Sequence, residues 1–304
     1  MTAPTGRFTE PAMWESLGRI AAALGVEVTG AQLLHLANNA VFALPAAELV
    51  VRITRTTTLH ARVRKVAMLG AWFDQANAPT IRLSRLTTTQ PIADRELLAT
   101  VWEYVVPYGP PPDAGDLGRV LRTFHEIDVD RLPLPAWDPI GDVRARLDDA
   151  EEIDEADRDF LLFWCAELEP RLRAFAERGI VGLVHGDAHE GNLLRGKSGR
   201  VLLCDFDATC LGPWQVDLVP APANEARFGR TGSHGRLAAA YGYDVTDDPA
   251  WPLLRQAREL KMIAAAVPLL GTDPRIANEF RLRLDSVRTG DTADRWTAFA
   301  DLVR

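Results

Sequence analysis

The chain has 304 residues, 47% of them apolar and 25% charged, a composition and length that suit one large or two modest soluble domains. Its 34 basic and 42 acidic residues leave a net charge of −8, which repels a phosphate backbone and disfavours a general nucleic-acid binder. The three cysteines (165, 204 and 210) form no CxxC pair and are odd in number, against a disulfide framework or structural zinc module and for a reducing, cytoplasmic setting.

Residues 11–24 place Trp14, Leu17, Ile20, Ala21 and Leu24 on one helical stripe, with no basic-then-apolar leader before them. Strand-like runs follow at Ala40–Leu44 and Glu48–Ile53, with Leu44-Pro45-Ala46-Ala47 as the turn between them. Residues 59–74 read as a helix ended by Asn77-Ala78-Pro79, and two more strands are expected at Ile81–Leu86 and Leu97–Val106. Turn chemistry peaks at Pro107-Tyr108-Gly109-Pro110-Pro111-Pro112. Beyond it the pattern is helical over 114–127, 139–156, 158–178, 236–243, 251–270 and 274–288, interrupted by one β interlude from Gly182 to Ala208. The longest apolar candidate for a membrane span, Met262–Leu270, falls far short of the ~20 residues required and contains Pro268. The expectation is an α+β chain with a small β-rich lobe over 1–105, a hinge near 103–112 and a larger, mainly helical lobe over 106–304, with a cleft implied between the lobes.

The densest polar cluster is VHGDAHEGNLLRGKSGRVLLCDFDATCLGPWQVDL, residues 184–218. His185, Asp187, His189 and Asn192 crowd a short loop after an apolar strand, and a hairpin around Gly196-Lys197-Ser198-Gly199 returns Asp205 and Asp207 beside it. Carboxylates and an amide on adjoining loops repel one another unless a cation sits among them, and this hard oxygen set suits Mg²⁺. Phosphoryl transfer asks for such a set, a carboxylate to orient the attacking hydroxyl and Asn and Asp to hold metal on phosphates. Asp187 and Asn192 have the D-x-x-x-x-N spacing, and Asp205 opens a D-F-D in the place of D-F-G. An acidic surface hairpin with a polar turn is the alternative reading of these residues.

With H-G-D-x-H-x-G-N, the following D-F-D and a downstream Asp-Leu, the chain resembles the aminoglycoside phosphotransferase family, relatives of choline kinase with a two-lobed, protein-kinase-like fold. The resemblance implies that Asp187 is the catalytic base, that Asn192 and Asp205 are Mg²⁺ ligands with Asp207 as a further candidate, and that His185 and Asp217 support the catalytic loop. It also implies a nucleotide triphosphate donor (ATP or GTP) and a small hydroxylated acceptor. No nucleic acid or membrane partner is implied, and the molecule is expected to be a monomer or homodimer in the cytoplasm. Asn38-Asn39-Ala40-Val41-Phe42 resembles the family's phosphate-covering loop, and Val50-Val51-Arg52-Ile53 the strand bearing its cationic contact. Asn39 and Arg52 would then face the phosphates, whereas an exposed strand residue is the alternative for Arg52. On the next helix, where relatives place a glutamate to pair that cation, this chain has Arg64-Lys65-Val66, so Arg52 needs another partner. Val101-Trp102-Glu103-Tyr104-Val105 resembles the kinase hinge, whose Glu103 carbonyl and Val105 N–H would read adenine; a buried strand is the equal alternative.

Three competing motifs carry less. Gly191-Asn192-Leu193-Leu194-Arg195-Gly196-Lys197-Ser198 fits the P-loop pattern, but a β run rather than a helix follows it and its interior is bulky. His185 and His189 have zinc-like spacing, but Gly186 and Gly191 argue against the single helix that such ligation needs. No G-x-G-x-x-G or G-x-S-x-G occurs, against a Rossmann dehydrogenase or an α/β-hydrolase. The acidic stretch 142–159 reads either as a solvated helix face or as a receiver of a cationic acceptor, and Glu225, Tyr241 and Trp251 are unranked acceptor-pocket candidates. His125 reads as structural. The leading functional reading is a small-molecule kinase acting on an antibiotic hydroxyl, such as that of an aminoglycoside, and so a resistance enzyme. A metabolite kinase of the choline, amino sugar or homoserine type is the alternative. A nucleotide-binding pseudokinase, suggested by Lys65, and a P-loop NTPase using Lys197 are further alternatives.

Overall fold

The computed structural model of the chain describes residues 8–36, 39–129, 132–148, 150, 152–229 and 231–302. Its first elements are α1 (Glu10–Leu24), β1 (Gln32–Leu36), β2 (Asn39–Leu44), β3 (Leu49–Thr54), α2 (His60–Gln75), β4 (Ile92–Asp94) and β5 (Leu97–Glu103). There follow α3 (Ala114–His125), α4 (Pro139–Asp148), α5 (Glu155–Arg178), β6 (Val181–Val184), β7 (Leu193–Arg195), β8 (Val201–Leu203) and β9 (Cys210–Pro213). The last are α6 (Pro220–Phe228), α7 (Ser233–Tyr241), α8 (Trp251–Ala264), α9 (Pro274–Arg288) and α10 (Phe299–Leu302). A small antiparallel sheet thus precedes a mainly helical region. No helix among the described residues is long and apolar enough to cross a membrane.

Two compact units emerge, the first comprising residues up to 112 together with 192–207, the second 113–191 together with 208–304. The expected division at 105/106 assigns the β7–β8 hairpin to the helical part; the contacts put it with the sheet. Leu203 donates its N–H to the Pro79 carbonyl at 2.9 Å and accepts from the Ile81 N–H at 3.0 Å, so the hairpin docks on the segment after α2. Phe206, buried just beyond it, packs on Phe73 and Trp102 at ring-centroid distances of 4.9 and 6.0 Å.

In the first unit the sheet order is β1-β2-β3-β5-β4, every pairing antiparallel. Phe42, Leu44, Val51, Ile53, Ala99 and Val101 alternate inward and meet Met13, Leu17 and Ile20 of α1 in one apolar core, as period-two strands facing an amphipathic helix must. Thr9 caps α1 with its side-chain oxygen. Ser16 and Arg19 of α1 bond Asp94, tying that helix to the edge strand β4. The expected strand at 81–86 does not form: it touches β5 through an isolated bridge, Leu83 to Trp102, and two backbone bonds. Instead the Gln90 side-chain amide pairs both the N–H and the C=O of Val101, occupying a ladder position that a strand would need. The edge strand β1 was outside the sequence-based expectation because its side chains are mostly exposed, Leu34 among them.

In the second unit Ile140, Leu161, Leu168, Leu260, Ile263, Phe280 and Leu284 form a helical core. α4 ends at Asp148, short of the expected 156, and α5, capped by Asp154, begins at Glu155 rather than at 158. α6 is an additional helix, opened by Pro220 in its first turn. α8 stops at Ala264, and the Pro268 segment forms a short 3-10 turn rather than its continuation to 270.

Candidate active site

The loop expected to carry the base lies in the second unit. β6 pairs with β9, Val184 opposite Cys210, and the chain then turns through His185-Gly186-Asp187. Gly186 sits at φ +80°, and a Cβ there would come within 2.3 Å of the Ala208 carbonyl oxygen, so the turn admits no side chain at this position. Asp217, buried in the 3-10 turn after β9, accepts the His185 N–H at 2.6 Å on Oδ2 and the Gly186 N–H at 2.8 Å on Oδ1. His125, the last residue of α3, adds a bond from Nε2 to Asp217 Oδ2 at 2.9 Å, while its Nδ1 meets the Tyr241 hydroxyl at 2.9 Å. Burial opposes the charge on Asp217, yet the His125 bond and the neighbouring histidines hold its carboxyl below the usual range. A buried carboxylate gripping two successive backbone amides fixes the residue that follows them, Asp187.

Asp187 keeps 41% of its side chain exposed, so its carboxylate is reachable. Arg258 of α8 donates from Nη1 to Asp187 Oδ1 at 3.1 Å, and Lys261, one turn further along the same helix, donates from Nζ to the Gly186 carbonyl at 3.0 Å. His189 Nε2 stands 3.9 Å from Asp187 Oδ2. Burial by itself raises a carboxyl pKa, but the charges of Arg258 and Lys261 outweigh it and hold Asp187 far below the ordinary carboxylate range. Burial pushes the His189 imidazole down, toward its neutral form. Arg258 and Lys261 lay outside the sequence-based site. Their signal was a pair of cations three residues apart on a helix whose neighbouring positions, Leu254, Ala257, Leu260 and Ala264, are buried.

The residues expected to meet a nucleotide lie in the first unit. Arg52 on β3 stands opposite Val41 of β2 and Thr100 of β5. Its guanidinium forms a two-point fork with Asp207, Nη1 to Oδ1 at 2.8 Å and Nη2 to Oδ2 at 2.5 Å, with Asp205 Oδ1 3.7 Å away. Lys65 donates from Nζ to the Asp207 backbone carbonyl at 2.8 Å. The second aspartate of D-F-D thereby holds the strand arginine, and the basic residue on α2 anchors that aspartate's backbone. Both Asp207 carboxylate oxygens face Arg52, an arrangement that competes with metal ligation.

Asn192 is buried, and its carbonyl accepts the Cys204 N–H at 2.9 Å, which ties its turn to the strand leading into Asp205. Asp205 adopts φ +65°, the left-handed region that a non-glycine residue occupies at a cost, and its side chain is 51% exposed. Among the described residues no group of three or more His, Cys, Asp or Glu could hold a metal ion. An Asn oxygen and one exposed carboxylate nevertheless fit Mg²⁺, which takes most of its octahedral shell from water and substrate phosphates. Asn39 opens β2 as a buried residue opposite Thr54, whereas Asn38 lies outside the described residues. Glu103 ends β5; its N–H goes to the Arg82 carbonyl and the next N–H, of Tyr104, to the Glu48 carbonyl. Neither is the group that the adenine reading uses.

The P-loop look-alike is a β hairpin, with Lys197 exposed in its turn and no helix following. Tyr241 stacks on Trp214 and bonds His125, Glu225 accepts the His234 N–H, and Trp251 opens α8. Of the acidic stretch, residues 149 and 151 lie outside the described residues.

The sequence pattern of the APH phosphotransferase enzyme family matches residues 30–260. No curated protein sequence matches the chain. Among solved structures, the choline kinase LicA from Streptococcus pneumoniae superposes with a TM-score of 0.64 at 14% identity, over 90% of this chain and 99% of that one. The spectinomycin phosphotransferase APH(9)-Ia, solved with ADP and spectinomycin, gives 0.58 at 15% identity, over 90% and 93%. An APH(2") enzyme in a GDP and kanamycin complex gives 0.60 at 14% identity, over 92% and 99%.

Proposed function

The chain belongs to the APH phosphotransferase enzyme family, a family of small-molecule kinases, and we propose that it moves the γ-phosphate of ATP or GTP to the hydroxyl of a small acceptor through Asp187. The observation that carries the assignment is the grip of Asp217 on the His185 and Gly186 amides, which fixes Asp187 while leaving its carboxylate reachable. Asp187 orients the acceptor O–H and takes its proton as the acceptor oxygen bonds to the γ-phosphorus. The bond from that phosphorus to the β,γ-bridging oxygen breaks, and the nucleoside diphosphate leaves with the electron pair. Because its pKa is held low, Asp187 is ionised across the neutral range; it serves chiefly to orient the hydroxyl, as suits a loose transition state.

On the first unit, Arg52 would meet the nucleotide phosphates, steadied by Asp207; Asn39 would cover them, and the Glu103 carbonyl and Val105 N–H would take adenine. Asn192 and Asp205 would hold Mg²⁺, which when bound neutralises phosphate charge. The reading requires no nucleic acid, membrane or second subunit. An aminoglycoside-type antibiotic as acceptor is supported by the neighbours solved with spectinomycin and kanamycin, and a metabolite by the choline kinase neighbour. Two cations beside Asp187 weigh against a polycation.

Purified protein incubated with ATP, Mg²⁺ and a panel of hydroxylated antibiotics, sugars, amino alcohols and hydroxy acids should release ADP only with an acceptor, and not in EDTA. Acceptor-dependent turnover that persists in EDTA, or nucleotide hydrolysis indifferent to every acceptor, would contradict the reading.

A further inference from the structure

Three charges meet where the acceptor hydroxyl must lie. Asp187 is negative; Arg258 and Lys261 are positive and come from one face of α8. The other titratable groups acting on Lys261 are Asp142 and Arg146 of α4, one of each sign, and His189 beside Asp187 is shifted toward its neutral form. Glu190, which acts on His189, is a further anion of this neighbourhood, but the two side chains that reach the Asp187 loop from α8 are both positive. The Arg258 side chain is 15% exposed, and its Nε is buried without a hydrogen-bond partner among the described residues, so the protein does not saturate this guanidinium. Cations drawn out of water gain from a nearby anion and lose from a further cation. Arg in particular presents a planar fork that matches carboxylate and phosphate oxygens.

Resting on the assignment of Asp187 as the base that meets the acceptor, we propose that the acceptor is a hydroxylated anion. Its carboxylate or phosphate group is received by Arg258 and Lys261 while a nearby hydroxyl is presented to Asp187. These two residues are then the specificity determinants of the acceptor site. A choline-like or polyamine acceptor placed at Asp187 would bring its cationic nitrogen against both of them, whereas a hydroxy acid or sugar phosphate sets an anion against them. Electrostatic complementarity of this kind selects substrates by repulsion of the wrong charge as well as by attraction.

The test compares acceptors by charge class with Mg·ATP: hydroxy acids, sugar phosphates, neutral sugars and polyols, amino alcohols, and aminoglycosides. The hydroxy acid and sugar phosphate arms tell a carboxylate from a phosphate. Turnover confined to the anionic arms, with kcat/KM at least tenfold above any neutral or cationic compound, is expected. For the best anion, Arg258→Gln and Lys261→Met should each raise its KM tenfold or more with the KM for ATP within twofold, and Arg258→Lys should recover part of the loss. Melting curves of all three variants check that they remain folded. A neutral or cationic compound as the best acceptor overturns the proposal. So does a rise in the KM for ATP in place of the acceptor KM, which would assign the two cations to the transferring phosphate. Mg·ATP binding without phosphorylation of any anion overturns it as well. Failure to bind Mg·ATP at all would instead count against the kinase reading on which it rests.

Discussion

Replacing Asp217 with Asn keeps the size of the side chain and removes its charge and one of its two acceptor oxygens. Three donors converge on that carboxylate: the His185 N–H, the Gly186 N–H and His125 Nε2. Whichever way the amide turns, its NH₂ group faces at least one of them, and a buried unsatisfied donor costs about 1–3 kcal/mol. Loss of the charge-assisted contact with His125 adds about 1.5–3 kcal/mol, for a total of roughly 2.5–6 kcal/mol. Unfolding entropy near 2.1 cal/mol/K per residue turns this into a fall in Tm of roughly 4–9 °C for a chain of this length. The loop bearing Asp187 loses its anchor, and a displacement of about 1 Å at a reacting group can cost ~10²-fold in rate. The KM for ATP should change little, because the amides that Asp217 holds belong to the loop carrying Asp187, the residue proposed to meet the acceptor. Thermal melts and steady-state kinetics with a turned-over acceptor measure the three quantities. Wild-type Tm and kcat in Asp217→Asn would refute the idea that this carboxylate positions the base.

Other consequences are more direct. Asp207→Asn leaves Arg52 with half of its fork, so the KM for ATP should rise several-fold and stability fall by about 1–3 kcal/mol; titration of nucleotide binding and a melt would show both. Lys197→Ala, on an exposed turn, should change stability by less than about 0.5 kcal/mol and leave nucleotide binding intact. Asp187, Asp217 and Asp94 have carboxyl pKa values held below their ordinary value of 3.8. Their contribution to stability is therefore complete above about pH 4 and lost as pH falls through the depressed values. Melting temperature should stay level from pH 7 to 5 and drop on further acidification, less steeply in Asp217→Asn.

The sheet strands β2, β3 and β5 and most of the helices were legible because each carries a clean period of two or 3.6. The polar loop that carries Asp187 was legible because His185, Gly186, Asp187 and Asn192 are close in sequence. What stayed hidden depends on side chains that meet across long separations. Asp207 reads as a spare metal ligand until Arg52, 155 residues away, is seen to take both of its oxygens. Lys65 reads as a defect in an ion pair until its ammonium reaches the Asp207 carbonyl, 142 residues on. Arg258 and Lys261 look like ordinary helix cations, since nothing local says that α8 turns them toward a loop more than 70 residues earlier. The segment 81–86 has strand composition, but the Gln90 side chain competes for the ladder. Propensity does not register that competition.

Asp187→Asn tests the central claim most directly, because it preserves shape and removes the carboxylate's charge and its capacity to accept a proton. Turnover with a competent acceptor and Mg·ATP should fall by about 10²–10⁴-fold while nucleotide affinity, read by titration, stays within about twofold. An Asp187→Asn protein that turns over at the wild-type rate would contradict the account. So would one that retains its turnover per bound nucleotide but has lost its affinity for ATP.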